Sequence, residues 1–94
     1  GLEGEIPVAI GSLVNLEELN LSNNTLSGSI PPLGKLTSLK RFTLVNNNTV
    51  SGPIPEELGL LVELRVLDLS NNNLNGMIPE ELGSLEYLEY LGLF

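Results

Sequence analysis

The side chains that could move a proton or hold an ion in this chain are few in kind. There are 12 acidic and 4 basic residues, no histidine and no cysteine, and Asp68 is the single aspartate. A Ser-His-Asp or Cys-His nucleophile cannot be assembled from this set, nor a zinc site with His or Cys ligands. No Gly-x-Gly-x-x-Gly or Gly-Lys-Ser/Thr phosphate cradle occurs. What remains is carboxylate chemistry. Glu56-Glu57 and Glu80-Glu81 are adjacent acids, and paired carboxyls cleave glycosides when they face each other across a cleft. Each pair, however, follows a proline and precedes Leu-Gly. That context reads as one helical turn with the proline at its first position and the glycine closing it, and at its exposed start acids complement the turn's dipole. The chain is therefore expected to be no enzyme, with no cofactor and no metal site.

The elements that carry these residues are set by a repeat. Leu2-Glu3-Gly4-Glu5-Ile6-Pro7 returns as Leu26-Ser27-Gly28-Ser29-Ile30-Pro31, as Val50-Ser51-Gly52-Pro53-Ile54-Pro55 and as Leu74-Asn75-Gly76-Met77-Ile78-Pro79, each 24 residues after the last. A period of this length with regular leucines specifies a solenoid, one coil per copy. The coils run 2–25, 26–49, 50–73 and 74–94, the last one short, in a single array over residues 1–94. Leu19-x-Leu21, Phe42-x-Leu44, Leu67-x-Leu69 and Leu91-x-Leu93 show the period-two alternation of a strand with one buried face. Stacked coils place these strands in a parallel sheet on the concave side, and the segments after each proline form short helical or 3-10 turns on the convex side. The fold class is an α/β solenoid. Gly4, Gly28, Gly52 and Gly76 mark a tight backbone position or a φ that other residues avoid. The following Ile6, Ile30, Ile54 and Ile78 are expected to point inward.

Composition narrows the partners. Hydrophobic residues make up 41% of the 94-residue chain and aromatics only 4%, so the core is aliphatic. A net charge of −8 argues against nucleic acid and against an anionic membrane surface, both of which need clustered Lys and Arg. No apolar run is long enough to span a bilayer, no leader segment is evident, and absent cysteine says nothing about compartment.

The asparagine after each strand, Asn24, Asn47 and Asn72, falls where the chain bends away. A buried amide there bonds the backbone of its own and the adjoining coil, forming a ladder. Leaving such groups unpaired would cost roughly 1–3 kcal/mol each.

These motifs resemble the plant-specific subtype of leucine-rich repeat, L-x-x-L-x-L-x-x-N-x-L-x-G-x-I-P followed by x-x-L-G-x-L, over essentially the whole chain. The resemblance implies a right-handed twisted solenoid with a second short strand near Leu-x-Gly-x-Ile-Pro. It also implies an extracellular or cell-surface setting, in ectodomains of receptor-like kinases and receptor-like proteins. The alternatives are a secreted polygalacturonase-inhibitor-like protein, a small standalone repeat protein, or a spacer that only holds other coils in register. The implied partner is a protein or peptide ligand or a co-receptor, with no direct membrane contact by this segment. Family members usually have longer arrays with cysteine-containing caps. The abrupt start at Leu2 and end at Phe94 are accordingly expected to mark a piece of a longer array or a shortened product. Exposure of Leu2, Ile6, Leu91 and Leu93 is expected to favour self-association through uncapped ends.

Outward strand positions line the concave face in columns: Glu17, Lys40, Arg65, Glu89; then Glu18, Arg41, Val66, Tyr90; then Asn20, Thr43, Asp68, Gly92; then Ser22, Val45, Ser70, Phe94. Cross-strand pairing is expected for Glu17 with Lys40, Glu18 with Arg41 and Arg65 with Glu89. The candidate binding patch is Lys40, Arg41, Thr43, Arg65, Val66, Asp68 and Tyr90, since Arg and Tyr are common interface anchors. Some peptide-binding receptors of this family carry two arginines flanking one strand residue. Lys40-Arg41 is adjacent and does not meet that pattern. Four short strands present a face of roughly 300 Å² against about 800 Å² per partner in a standard interface, so the face is expected to be part of a larger site.

Three glycosylation sequons occur, at Asn20, Asn23 and Asn47. Asn23 is the better acceptor and Asn20 the second, because Asn47 belongs to the ladder. One coil is irregular: Pro31-Pro32-Leu33-Gly34 is one residue short, and Asn47-Asn48-Thr49-Val50 is one residue long. The two changes cancel. A tighter convex segment and a bulged strand exit are expected there.

Overall fold

The computed structural model describes residues 3–93; Leu2 and Phe94, named above, lie outside them. Strands β1 (Glu3–Glu5), β2 (Glu18–Asn20), β3 (Thr25–Gly28), β4 (Arg41–Thr43), β5 (Asn47–Pro53), β6 (Val66–Asp68), β7 (Asn72–Asn75) and β8 (Tyr90–Gly92) alternate between two sheets. Both are parallel and four-stranded, ordered β2-β4-β6-β8 and β1-β3-β5-β7. The first is the concave sheet. The second is the short-strand sheet that the resemblance implied. The helical element is 3-10 rather than α among the described residues, in turns at Val8–Ser12, Glu56–Leu60 and Glu80–Ser84.

The inward row is legible in the register. Leu19, Phe42, Leu67 and Leu91 are consecutive partners across the concave sheet. Phe42 and Leu67 are fully buried. Each is capped on both sides by a neighbour of the same row, which is how a solenoid makes a continuous core from pieces too small to bury themselves. Leu33, Leu36, Leu39, Leu58, Leu61 and Leu64 close that core from the convex side.

Three expectations about local geometry are corrected. Proline stands one residue before each 3-10 turn, and its carbonyl accepts the turn's first hydrogen bond, as in Leu58 N–H to Pro55 O at 3.3 Å. Gly59 lies inside its turn instead of closing it. The reason is a close approach: a Cβ on Gly59 would sit 2.5 Å from the backbone oxygen of Glu81 in the next coil. Ile78 is 49% exposed, unlike the buried Ile6, Ile30 and Ile54, because it lies in the last of the described coils, with a neighbour on one side only. By the same accounting Ile6 and Leu93 are buried, and of the residues expected to be exposed at the ends only Leu91 is so among the described residues.

Gly52 has φ +85°, with the other three glycines of this position similar, so the repeat's glycine is a conformational requirement. The second coil has no 3-10 turn, and the register of β5 against β7 jumps between Asn47 and Ser51. The missing residue and the extra one thus appear where the sequence puts them, as an irregular convex segment and a bulged strand exit.

Candidate functional site

The concave sheet brings the predicted columns together. Glu18, Arg41, Val66 and Tyr90 are successive cross-strand partners, as are Asn20, Thr43, Asp68 and Gly92. Alternation turns both columns outward, since the residues between them are the core row. Glu17, Glu18, Lys40, Arg41, Arg65, Val66 and Glu89 line a shallow depression of about 210 Å³.

Charge in this depression is mostly paired internally. Lys40 Nζ lies 3.5 Å from Glu17 Oε1, and Arg65 Nη1 lies 3.2 Å from Glu89 Oε2. The expected Glu18–Arg41 pair does not form among the described residues. A solvated pair gains only about 0–1 kcal/mol, too little to hold two long side chains in one geometry. Arg41 is consequently the concave cation without an acidic partner among the described residues. Arg65 has a second contact that sequence reasoning missed: its guanidinium carbon stands 5.6 Å from the centroid of the Tyr87 ring, within cation–π reach. Tyr87 lies in the turn that precedes the strand carrying Tyr90, two residues before Glu89.

The lower column is committed to the fold. Asp68 Oδ1 accepts from the backbone N–H of Ser70 at 3.1 Å and from its hydroxyl at 2.6 Å. Asn20 Oδ1 likewise accepts from Ser22 N–H at 3.1 Å. A Cβ on Gly92 would lie 2.6 Å from Asp68 Oδ1, so Gly92 makes room for this turned carboxylate. Asp68 therefore caps its own strand end, and Thr43 is half-buried beside it. Among the candidates, Tyr90 is the most open aromatic, 53% exposed.

Two of the three strand-exit asparagines, Asn47 and Asn72, bond the backbone of their own and the preceding coil. Asn47 is fully buried; its Nδ2 donates to Leu21 O at 2.9 Å, and its Oδ1 accepts from Leu26 N–H at 3.2 Å. Asn72 Nδ2 donates to Leu69 O at 2.8 Å and to Leu44 O of the preceding coil. Asn24 Nδ2 donates to Leu21 O at 3.0 Å and Ser22 O at 3.2 Å. A second, solvent-facing asparagine row was not foreseen: Asn23, Asn46 and Asn71 all have φ near +60°, and Asn46 Nδ2 donates to Asn23 Oδ1 at 2.9 Å. Asparagine tolerates this left-handed region better than most residues. Of the sequon residues, Asn20 and Asn23 are exposed.

The acid pairs Glu56-Glu57 and Glu80-Glu81 occupy the first turns of the convex 3-10 segments. No group of three acids converges among the described residues, and none of their helices is long and apolar enough to cross a membrane.

Residues 14–58 match the family described as Leucine Rich repeats (2 copies), and residues 63–85 match Leucine Rich Repeat. No curated protein sequence matches the chain. Among solved structures, the ectodomain of the Arabidopsis receptor kinase HAESA, in complex with the peptide hormone IDA and the co-receptor SERK1, is 45% identical with TM-score 0.92, covering 98% of this chain and 15% of its own. The ectodomain of the membrane receptor kinase GASSHO1/SCHENGEN3 from Arabidopsis thaliana is 44% identical with TM-score 0.90, covering 94% of this chain and 11% of its own. A plant ice-binding protein is 40% identical with TM-score 0.87, covering 98% of this chain and 30% of its own. The chain thus spans a small part of the length of each. The two sheets, the ladder and these matches lead to one assignment: the chain belongs to the leucine-rich repeat family, with coils similar to those of plant receptor-kinase ectodomains.

Proposed function

We propose that this chain is a recognition segment of a plant receptor-kinase or receptor-like ectodomain, acting outside the cell, and that its concave face contributes to a peptide or co-receptor contact. The observation that carries this reading is Arg41, a concave guanidinium left without an acidic partner beside two ion-paired cations. An unpaired exposed arginine offers a planar fork of donors at no cost in broken pairs. Val66 and Tyr90 follow Arg41 in the same column and supply apolar and aromatic contact. Lys40 and Arg65 flank it, while Thr43 and Asp68 form the edge. Neighbours of the same fold include a receptor bound to a peptide hormone and a co-receptor, which supports the class of partner. A glycan on exposed Asn23 is compatible with this reading, whereas one on Asn20 would stand on the concave sheet.

A second reading has its own support. The Lys40–Glu17 and Arg65–Glu89 pairs neutralise most of the face from within, as a spacer coil would. Fold alone does not decide, since the same architecture serves an ice-binding protein. The deciding experiment replaces Arg41 with Glu and Tyr90 with Ala within the parent ectodomain and measures binding of its ligand by calorimetry. A loss of tenfold or more supports recognition. Unchanged binding by folded variants assigns the segment to the spacer role.

A further inference from the structure

We propose that Asn75 is a self-modification site: the Gly76 nitrogen displaces its side-chain amide, and the residue converts slowly to aspartate and isoaspartate. The site lies on the second sheet and is independent of the concave reading.

The reaction needs an unhindered backbone nitrogen, a carboxamide free to reach it, and water. Asn75 is the one asparagine of the chain followed by glycine. A side chain on the following residue would crowd the attacking nitrogen, and glycine has none. The other coils carry Glu3, Ser27 and Ser51 at this position, none of which has an amide to lose. The glycines differ too. A Cβ on Gly28 would lie 3.0 Å from the Glu5 side chain and one on Gly52 3.3 Å from Ser29, whereas at Gly76 the nearest atom is Pro53 Cβ at 4.0 Å. Asn75 and Gly76 are both exposed, so water reaches the peptide between them.

The carboxamide is not tied down. Asn47 and Asn72 give theirs to backbone carbonyls, and Asn46 gives its own to Asn23. The Asn75 side chain makes no hydrogen bond among the described residues. Asn75 is also the last residue of β7, at the edge of its sheet. One side of its backbone therefore has no strand partner among the described residues. Gly76 leaves the strand at φ +81°, in a region that glycine enters and leaves without steric cost.

The chemistry balances with water alone. Hydroxide takes the Gly76 amide proton, and the nitrogen attacks Asn75 Cγ. The Cγ–Nδ2 bond breaks, and Nδ2 takes a proton from water and departs as ammonia. The product is a cyclic succinimide. Water opens it at Cγ to give aspartate, or at the Asn75 main-chain carbonyl to give isoaspartate, in which the chain runs through Cβ. Either product adds a negative charge, and isoaspartate lengthens the backbone ahead of the 3-10 turn Glu80–Ser84.

The test is incubation of the folded 94-residue protein for days in mildly alkaline buffer. Peptide mass spectrometry follows each asparagine, and an isoaspartyl methyltransferase with a labelled methyl donor reports isoaspartate. Asn75 should gain the mass of an amide-to-acid exchange at least tenfold faster than any other asparagine. The rate should rise in proportion to hydroxide, and methyl label should appear at the same residue. Asn75→Ser, which installs the residue of the second and third coils, should remove both signals. Asn75→Gln should slow the mass gain at least tenfold, because its longer side chain closes a larger ring. No gain at Asn75, a gain seen only after unfolding in urea, an equal rate at Asn23 or Asn73, or methyl label that survives in Asn75→Ser would each overturn the proposal.

Discussion

Asn72 holds Asn47 by its backbone: the Asn72 Oδ1 accepts the N–H of Asn47 at 3.2 Å, while the Asn47 side chain reaches back to Leu21 and Leu26. Asn47 and Asn72 thus each satisfy groups in more than one coil. Asn47→Ala should remove these bonds from a site with no access to water and destabilise by roughly 2–3 kcal/mol. Asn24→Ala, at a half-buried position, should cost less. Urea denaturation midpoints of the two variants check the order.

Gly59 and Gly83 hold equivalent positions in successive turns but face different surroundings. Gly59→Ala would drive a methyl into the Glu81 backbone, whereas a Cβ at Gly83 meets nothing within 4 Å. The first substitution should cost about 1–3 kcal/mol through forced displacement. The second should be within about 0.5 kcal/mol of neutral. Thermal melts of the pair read the difference directly.

Asn71 adopts φ 60°. Asn71→Gly should be tolerated, while Asn71→Val should lose about 1–2 kcal/mol, because a β-branched side chain crowds the following carbonyl there. Equal stability of the two variants by chemical denaturation would contradict this account.

The Arg65–Glu89 pair is exposed, and its geometry is good at 3.2 Å. A double-mutant cycle with Arg65→Ala and Glu89→Ala should return a coupling below about 1 kcal/mol that shrinks with added salt. A salt-independent coupling of several kcal/mol would place this pair at the centre of stability rather than on a solvated rim.

Met77, Ile78 and Leu91 are 89%, 49% and 44% exposed at one end of the solenoid. We expect concentration-dependent self-association of the 94-residue protein through this end. Ile78→Ser together with Leu91→Ser should shift light scattering toward monomer. A monodisperse parent protein at high concentration would remove the expectation.

The repeat made most of the fold legible, because each apolar position answers to the same position one period away. Leu19, Phe42 and Leu67 could be aligned as a buried row without coordinates, and the ladder followed from Asn24, Asn47 and Asn72 alone. Errors gathered where the cause lies outside one coil. Gly59 reads as a terminator in its own segment, yet its role is set by Glu81 in the next coil. Asp68 reads as an outward ligand group until Ser70 and Gly92 are seen to receive it. Glu18 and Arg41 share the right register, but register does not fix the ends of long solvated side chains. Tyr87 escaped notice because it sits in a turn outside the strand columns.

The hydrogen bonds that join β2 to β4, β4 to β6 and β6 to β8 all run between coils, along the axis on which the coils stack. Tension applied at the two termini therefore loads these interfaces in series, and an end coil, held on one side only, yields first. Under such pulling the protein should extend by unpeeling whole coils, each freeing 24 residues, or roughly 80 Å of chain at full stretch. Mechanically the stack should yield in stages, one coil after another.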